Sequence, residues 1–460
     1  MKSFARTQSR RSVVSALAGL ICHSKFGRSD AAAKTGGTLT QEKIARACEE
    51  LDFEYLTELT VKLAAINSPL GRERPVAELL CNEMDICGLM AKLQPISRDR
   101  SNAVGTLPGS GGGRSLILNG HLETSGSQTP TPFPTPRIVD GTSITGRGVW
   151  NMKGVLAAYV CALRAIRAAQ IELAGNVVIA GVAGAWDEVD IQTTFSVRGV
   201  QGYGIGTEYL LSHGTTADFA IVGEPTSFRI VSEHVGMTWL RVIIQESRSA
   251  RVAITDLIEF QAEPGHSVSE VFGADDVIEV AGEIADTLRR WIPMYKHRYA
   301  ARGITLFAEV SGIESEPPWS ASLHRRCAVH FRFSTPPGLQ ANDAIGDIEE
   351  LLTDVRTKHL KLEISTDVYY SVVGPSVSKD NYLVKQLARA HKDFLSGPPT
   401  FAIAPWYTDA AQLNKYGIHA INYGPPGRYT ASSETVEISD LIKCCKVYLD
   451  LIIRTCSGEE

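Results

Sequence analysis

Three apolar runs, two of which stop at residues able to bind metal, constrain this chain more than its composition does. SLILNGHLE ends its apolar stretch at His121, NVVIAGVAG runs from Asn176 to Gly184, and ADFAIVGEPT ends at Glu224. Helical stretches lie between them: MKGVLAAYVCALRAI after the first run and GTEYLLSHG before the third. Alternating strands and helices of this length predict an α/β sheet, whose ligand sites lie at the carboxyl ends of its strands. His121 and Glu224 are therefore expected at one sheet edge.

The rest of the chain extends this pattern and interrupts it once. TQEKIARACEELDFEYLTELTVKLAAI and NSPLGRERPVAELLCNEM read as helices. SNAVGTLPGSGGGRSLILNGHLE reads as a hairpin, with Pro108 to Gly113 as a turn and not a phosphate cradle, since no helix bearing Lys or Ser/Thr follows. From about Val231 the character changes. TWLRVIIQE alternates like a strand, DDVIEVAGEIADTLRRWI is an amphipathic helix, and ITLFAEVSGI and CAVHFRFS are further strands. The α/β pattern resumes with DNYLVKQLARAHKDFL, HAINYG and SDLIKCCKVYLDLIIRTC. The expected architecture is an α/β catalytic domain with a mixed central sheet, interrupted by an α+β lid. Its divisions are a tail at 1–40, the catalytic domain at 41–232 and 338–460, and the lid at 233–337. TWLRVIIQE is expected at the edge of the lid's sheet, where a second copy could pair with it.

Composition narrows the function. With 460 residues, 44% hydrophobic and 21% charged, the chain has the make-up of a globular protein of about two domains. A net charge of −5 and no basic block argue against nucleic acid or an anionic membrane surface. Nine cysteines without a C-x-x-C read as buried thiols. The N-terminal stretch places Arg10 and Arg11 before VVSALAGLIC, too short to span a bilayer. It reads as a twin-arginine export signal or as a basic tail of a cytoplasmic protein.

Chemistry concentrates at three places. His121, with Glu123 two residues on, ends one strand; Glu224 ends another; and GRGVWNMKG brings Asn151 to the start of a helix. Imidazole and carboxylate oxygen suit a divalent cation such as zinc. A lone histidine is more often structural, and His213 and His234 read as solvated loop residues. Asp409 in TDAAQ reads either as support for the site or as a helix N-cap.

From about residue 45 onward the chain resembles the metal-dependent family that includes aminoacylase, acetylornithine deacetylase and succinyl-diaminopimelate desuccinylase. GHLE, GRGVWNMKG, IVGEPT and TDAAQLNKYGIHAINYGPPG with Glu434 carry the resemblance. It implies a zinc-dependent hydrolase of N-acyl amino acids or small peptides, with a lid that usually forms a homodimer. It also implies that His121 and Glu224 hold one zinc and that Asn151 stands where an acidic residue bridges two. An amide has one ligating oxygen and an NH2 that cannot bind a cation, so the site reads as weakened. The paired acids fall on AGAWDEVDIQ, making Glu188 or Asp187 the proton acceptor, while Glu123 orients His121. No histidine follows His419, so the second metal's last ligand is missing. A lid residue that reaches the substrate is Arg251 or His266, and Arg332 is a structural arginine of the lid. A non-catalytic relative that keeps the fold for binding or regulation is the alternative reading.

Overall fold

A computed structural model describes residues 35–124, 135–185, 189–193, 196–200, 202–246, 276–300, 303–316, 326–430 and 433–458. The segment with Arg10 and Arg11 lies outside the described residues, as do Asp187, Glu188, Arg251 and His266. Among the described residues no helix is long and apolar enough to cross a membrane.

The main sheet has eight strands: β1 (Met90–Pro95), β2 (Ser101–Leu107), β3 (Leu116–His121), β6 (Val177–Val182), β9 (Phe219–Val222), β10 (Ile230–His234), β15 (Phe401–Ala404) and β16 (His419–Asn422). Their order is β1-β2-β6-β3-β9-β16-β10-β15. The core run β6-β3-β9-β16 is parallel, and β1, β2 and the β10–β16 contact are antiparallel, so the sheet is mixed. β3, β6 and β9 are buried along their whole length, as strands covered on both faces must be.

The expected 101–123 hairpin does not form. β6 inserts between β2 and β3, and the glycine-rich segment instead lies along the loop after the next helix, where Ser110 and Gly111 N–H donate to Leu173 and Ala174 carbonyls at 2.9 Å. The more apolar neighbour, VVIAGV, takes the central place that a local turn would have denied it.

Among the described residues ten helices pack around the sheets: α1 (Thr35–Glu49), α2 (Phe53–Ala65), α3 (Arg74–Ile86), α4 (Lys153–Ala168), α5 (Ile205–Ser212), α6 (Val277–Tyr299), α7 (Asn342–Lys358), α8 (Tyr382–Phe394), α9 (Ala410–Lys415) and α10 (Ile438–Cys456). α4 is buried on almost every side, flanked by α2 and α10, which explains its apolar stretch from Val155 to Leu163. Cys161, Cys444, Cys445 and Cys456 are buried free thiols of this layer. α2 begins with Asp52 accepting from Tyr55 N–H at 2.9 Å.

The second sheet comprises β11 (Gly236–Glu246), β12 (Ala308–Glu316), β13 (Arg326–Thr335) and β14 (Leu362–Val372), in the order β12-β13-β11-β14. Two expectations change here. TWLRVIIQE lies in β11, which is central and pairs with β13 and β14, so the open edges are β12 and β14. The unit also runs past 337: α7 and β14 belong to it, with Ile348, Leu352, Val355 and Ile364 sharing a core with Ile284, Leu288, Trp291 and Phe331. Ala344, Ile348, Leu352 and Val355, spaced three and four apart on α7, bury one face in this core, and that burial fixes its membership. Arg332 is structural, as expected: it pairs with Glu309 and lies over the Trp239 ring.

A third sheet, β17 (Arg428–Thr430), β18 (Ser433–Glu437), β5 (Ser143–Gly146) and β4 (Arg137–Val139), joins the C-terminal segment to the loop before α4. β7 (Val189–Thr193) and β8 (Ser196–Val200) form a two-stranded ribbon.

One buried ion pair ties the N-terminal layer together. Arg100 donates to both oxygens of Glu73, from Nε at 3.0 Å and from Nη2 at 2.8 Å, with Glu73 fully enclosed. Removing the arginine strands a buried carboxylate, so Arg100→Met is expected to lower unfolding free energy by about 3–5 kcal/mol in urea titration. A loss under about 1 kcal/mol would show that water reaches Glu73.

Candidate metal centre

β3 and β9 are parallel neighbours, with Asn119 level with Val222, so both deliver their next residues to the same edge. His121 Nε2 lies 4.0 Å from Glu224 Oε1. Two ligand bonds of roughly 2 Å each converge across such a gap. His121 Nδ1 sits 2.9 Å from the Glu123 carbonyl oxygen. A proton held there leaves the Nε2 lone pair facing the pocket, the arrangement a metal-ligating histidine needs.

Asn151 Oδ1 is 3.0 Å from His121 Nε2. Its loop is fixed by a residue whose role the sequence motif did not disclose. Glu434, buried on β18, accepts the N–H groups of Asn151 at 3.0 Å and Trp150 at 3.3 Å. The preceding Gly148 is at φ +74°, and a Cβ there would come within 2.6 Å of the Thr124 methyl. Glycine is required on both counts. The Asn151–Met152 peptide is cis. Lys153 is buried and donates from Nζ to the Ile66 carbonyl at 2.7 Å. Burial pushes its pKa down to about 7.

Glu123 orients His121 through its backbone, while its own fully buried carboxylate accepts N–H from Gly184 at 2.9 Å and from Ala185 at 2.5 Å. It thereby fixes the residues just before the acidic stretch that holds Asp187 and Glu188. Asp409 is buried too. It makes no side-chain cap to α9; instead its Oδ2 accepts from Thr207 Oγ1 at 2.8 Å. The expected side-chain cap is therefore not made. His213 is exposed and stacks on Tyr209. His234 corrects the expectation of a solvated loop: it ends β10, fully buried, with Nδ1 at 2.8 Å from the Val235 carbonyl, and burial pushes its pKa to about 4.

The electrostatics favour a cation. Burial pushes the His121 imidazole down, but the carboxylates of Glu123, Glu224 and Asp409 outweigh it and hold its pKa above the usual value. Burial raises Glu224, with His121 opposing. Burial also raises Glu434, partly offset by the N–H donors of Asn151, Gly148 and Trp150. Imidazole, carboxylate and amide oxygen line one pocket, a donor set of the kind that suits a divalent cation. Among the described residues no group of three His, Cys, Asp or Glu side chains is placed to hold one.

Asp409 gives the site a pH signature. Burial raises its pKa to about 7 from an ordinary 3.8. Between those values the folded state keeps a proton that the unfolded chain has released, so stability present below pH 4 is lost as pH rises through 7. In chelator-treated protein, Asp409→Asn is expected to remove the part of this slope that lies above pH 5, at most about 3 kcal/mol, between urea titrations at pH 5 and pH 8. Equal slopes in both proteins would refute it.

The comparisons agree with this geometry. An N-formyl-4-amino-5-aminomethyl-2-methylpyrimidine deformylase of Bacillus subtilis is 24% identical, over 78% of this chain and 84% of its own. An acetylornithine deacetylase of Proteus mirabilis is 27% identical, over 61% of this chain and 65% of its own. Among solved structures, aminopeptidase PepT from Bacillus cereus superposes with a TM-score of 0.62 at 14% identity, covering 88% of this chain and 99% of that one. A dinuclear metal-binding peptidase of the M20 family from Bacillus subtilis superposes with a TM-score of 0.57 at 12% identity, covering 88% and 98%. Residues 117–454, which include His121, Asn151, Glu224 and Glu434, match the profile of Peptidase family M20/M25/M40, and the chain belongs to that family.

Proposed function

We propose that this protein hydrolyses the amide bond of a small N-acyl compound, an N-acyl amino acid or a short peptide, using one divalent cation, zinc by its donor set. The observation that carries the reading is the 4.0 Å approach of His121 Nε2 and Glu224 Oε1 at the wall of an open pocket, with Asn151 Oδ1 beside them. The relatives whose names specify removal of a formyl or acetyl group from nitrogen support the same bond class.

A bound cation supplies Lewis acidity toward water and the scissile carbonyl. The chain's own residues do the rest. The Glu123 carbonyl keeps the His121 proton on Nδ1. Glu434 holds the Asn151 loop through two N–H groups, so the amide oxygen is presented at a fixed position. Glu188 or Asp187, next in sequence to the segment pinned by Glu123, takes the proton from water and passes it to the leaving nitrogen. Arg251 or His266 contacts the substrate. The second-sheet unit pairs two copies of the chain through β12 or β14, the outer strands of its sheet among the described residues. Asn151 contributes one oxygen where a carboxylate could bridge two ions, which favours one cation per chain.

Metal analysis and competition with a chelator test this. The purified protein is expected to carry close to one equivalent of zinc, and His121→Ala to lose it. Asn151→Asp adds a negative charge at the donor point and is expected to tighten zinc by about tenfold or more, about 1.4 kcal/mol. An unchanged affinity would mean that Asn151 does not face the cation, and absence of zinc together with no amine release from N-acyl substrates would end the hydrolase reading.

A further inference from the structure

The pocket beside the donor residues has a volume of about 330 Å³, the lower end of the range for a single small ligand. Its polar side consists of His121, Asn151 and Glu224. Its apolar wall includes Trp150, Met237, Phe307, Trp406 and Tyr407, and no Arg or Lys lines the cavity among the described residues. The polar handles of two wall residues are already spent on the main chain. Trp150 donates its indole N–H to the Pro425 carbonyl at 3.1 Å, and Tyr407 donates its hydroxyl to the Tyr203 carbonyl at 2.7 Å. They offer the ligand rings alone. Trp406 stands at the mouth, 43% exposed, without burial of its own to explain so large an apolar side chain.

We infer that this wall selects an uncharged, flat aromatic group on the substrate, one or two bonds from the scissile amide. The inference rests on the hydrolase reading for the position of that amide. A ring gains contact with several aromatic faces, each pair adding to its burial. Against these side chains an ammonium or carboxylate gives up hydration without meeting an opposite charge among the described wall residues. Phe307 precedes β12 and Met237 lies in β11, so two of these five wall residues come from the second-sheet unit, and selectivity depends on the seating of the two units.

Calorimetry of the zinc-supplemented protein with N-acetylbenzylamine and with N-acetylornithine tests the idea. The aromatic compound is expected to bind at least about tenfold more tightly, and Trp406→Ala, an exposed position, to lose about fivefold for it while leaving N-acetylornithine unchanged. Phe307→Leu serves as a second wall variant with the same expected direction. Equal or tighter binding of N-acetylornithine overturns the inference, as does an aromatic affinity that neither variant alters or that is immeasurable at millimolar ligand. Amine release, followed separately, distinguishes the two claims. Selective binding without release sinks the hydrolase reading alone, and efficient release of ornithine sinks the aromatic selectivity alone.

Discussion

Buried negative charge is the constraint around which this molecule is arranged. Glu123, Glu224, Asp409 and Glu434 are all nearly or fully enclosed near one imidazole, His121. Isolated, each would carry a desolvation cost of several kcal/mol. Three of them recover part of it locally, from paired N–H groups at 184–185, from those at 150–151, or from the Thr207 hydroxyl. Glu224 has His121 at 4.0 Å. The residual field explains why the imidazole is held more basic than its burial alone would permit, and it is the field a divalent cation would complete.

That arrangement depends on strand order. His121 and Glu224 meet because β3 and β9 are direct parallel neighbours, and Ala185 reaches Glu123 because β6 lies on the other side of β3. Glu123 and Glu224 therefore follow the ends of two adjacent strands, while Glu434 comes from the third sheet and Asp409 from the start of α9. The aromatic cluster of Tyr203, Trp239, Tyr370 and Tyr407 then seats the second-sheet unit above this edge, with the Tyr203 carbonyl accepting from Tyr407, Gln412 and Tyr370.

Periodicity and residue type made the strand ends at His121 and near Glu224 readable, along with the interrupted α/β organisation and helices such as α6 and α10. Strand partners were less accessible. β2 and β3 look like a hairpin because a turn signal is local, whereas the apolar match that draws β6 between them is spread over eighty residues. Strand β10 is only five residues long, and α7 with β14 follows a Pro-Pro-Gly turn that reads as a boundary. Glu434 was visible as a motif residue, but its work is done on backbone N–H groups, which no side-chain pattern encodes. The ring wall was hidden for a related reason: Trp150, Phe307 and Trp406 are distant in sequence and share no spacing.

Glu434 is 283 residues from the Asn151 N–H it restrains, and β16 must enter between β9 and β10 before the main sheet closes. A ribosome delivers the chain in one direction, and domains fold as their parts emerge. His121, Asn151 and Glu224 therefore leave the exit tunnel long before the residue that orders their loop. A nascent chain has the donors without the geometry. A cation that met the donors before residue 434 had emerged would therefore find a loop without this anchor.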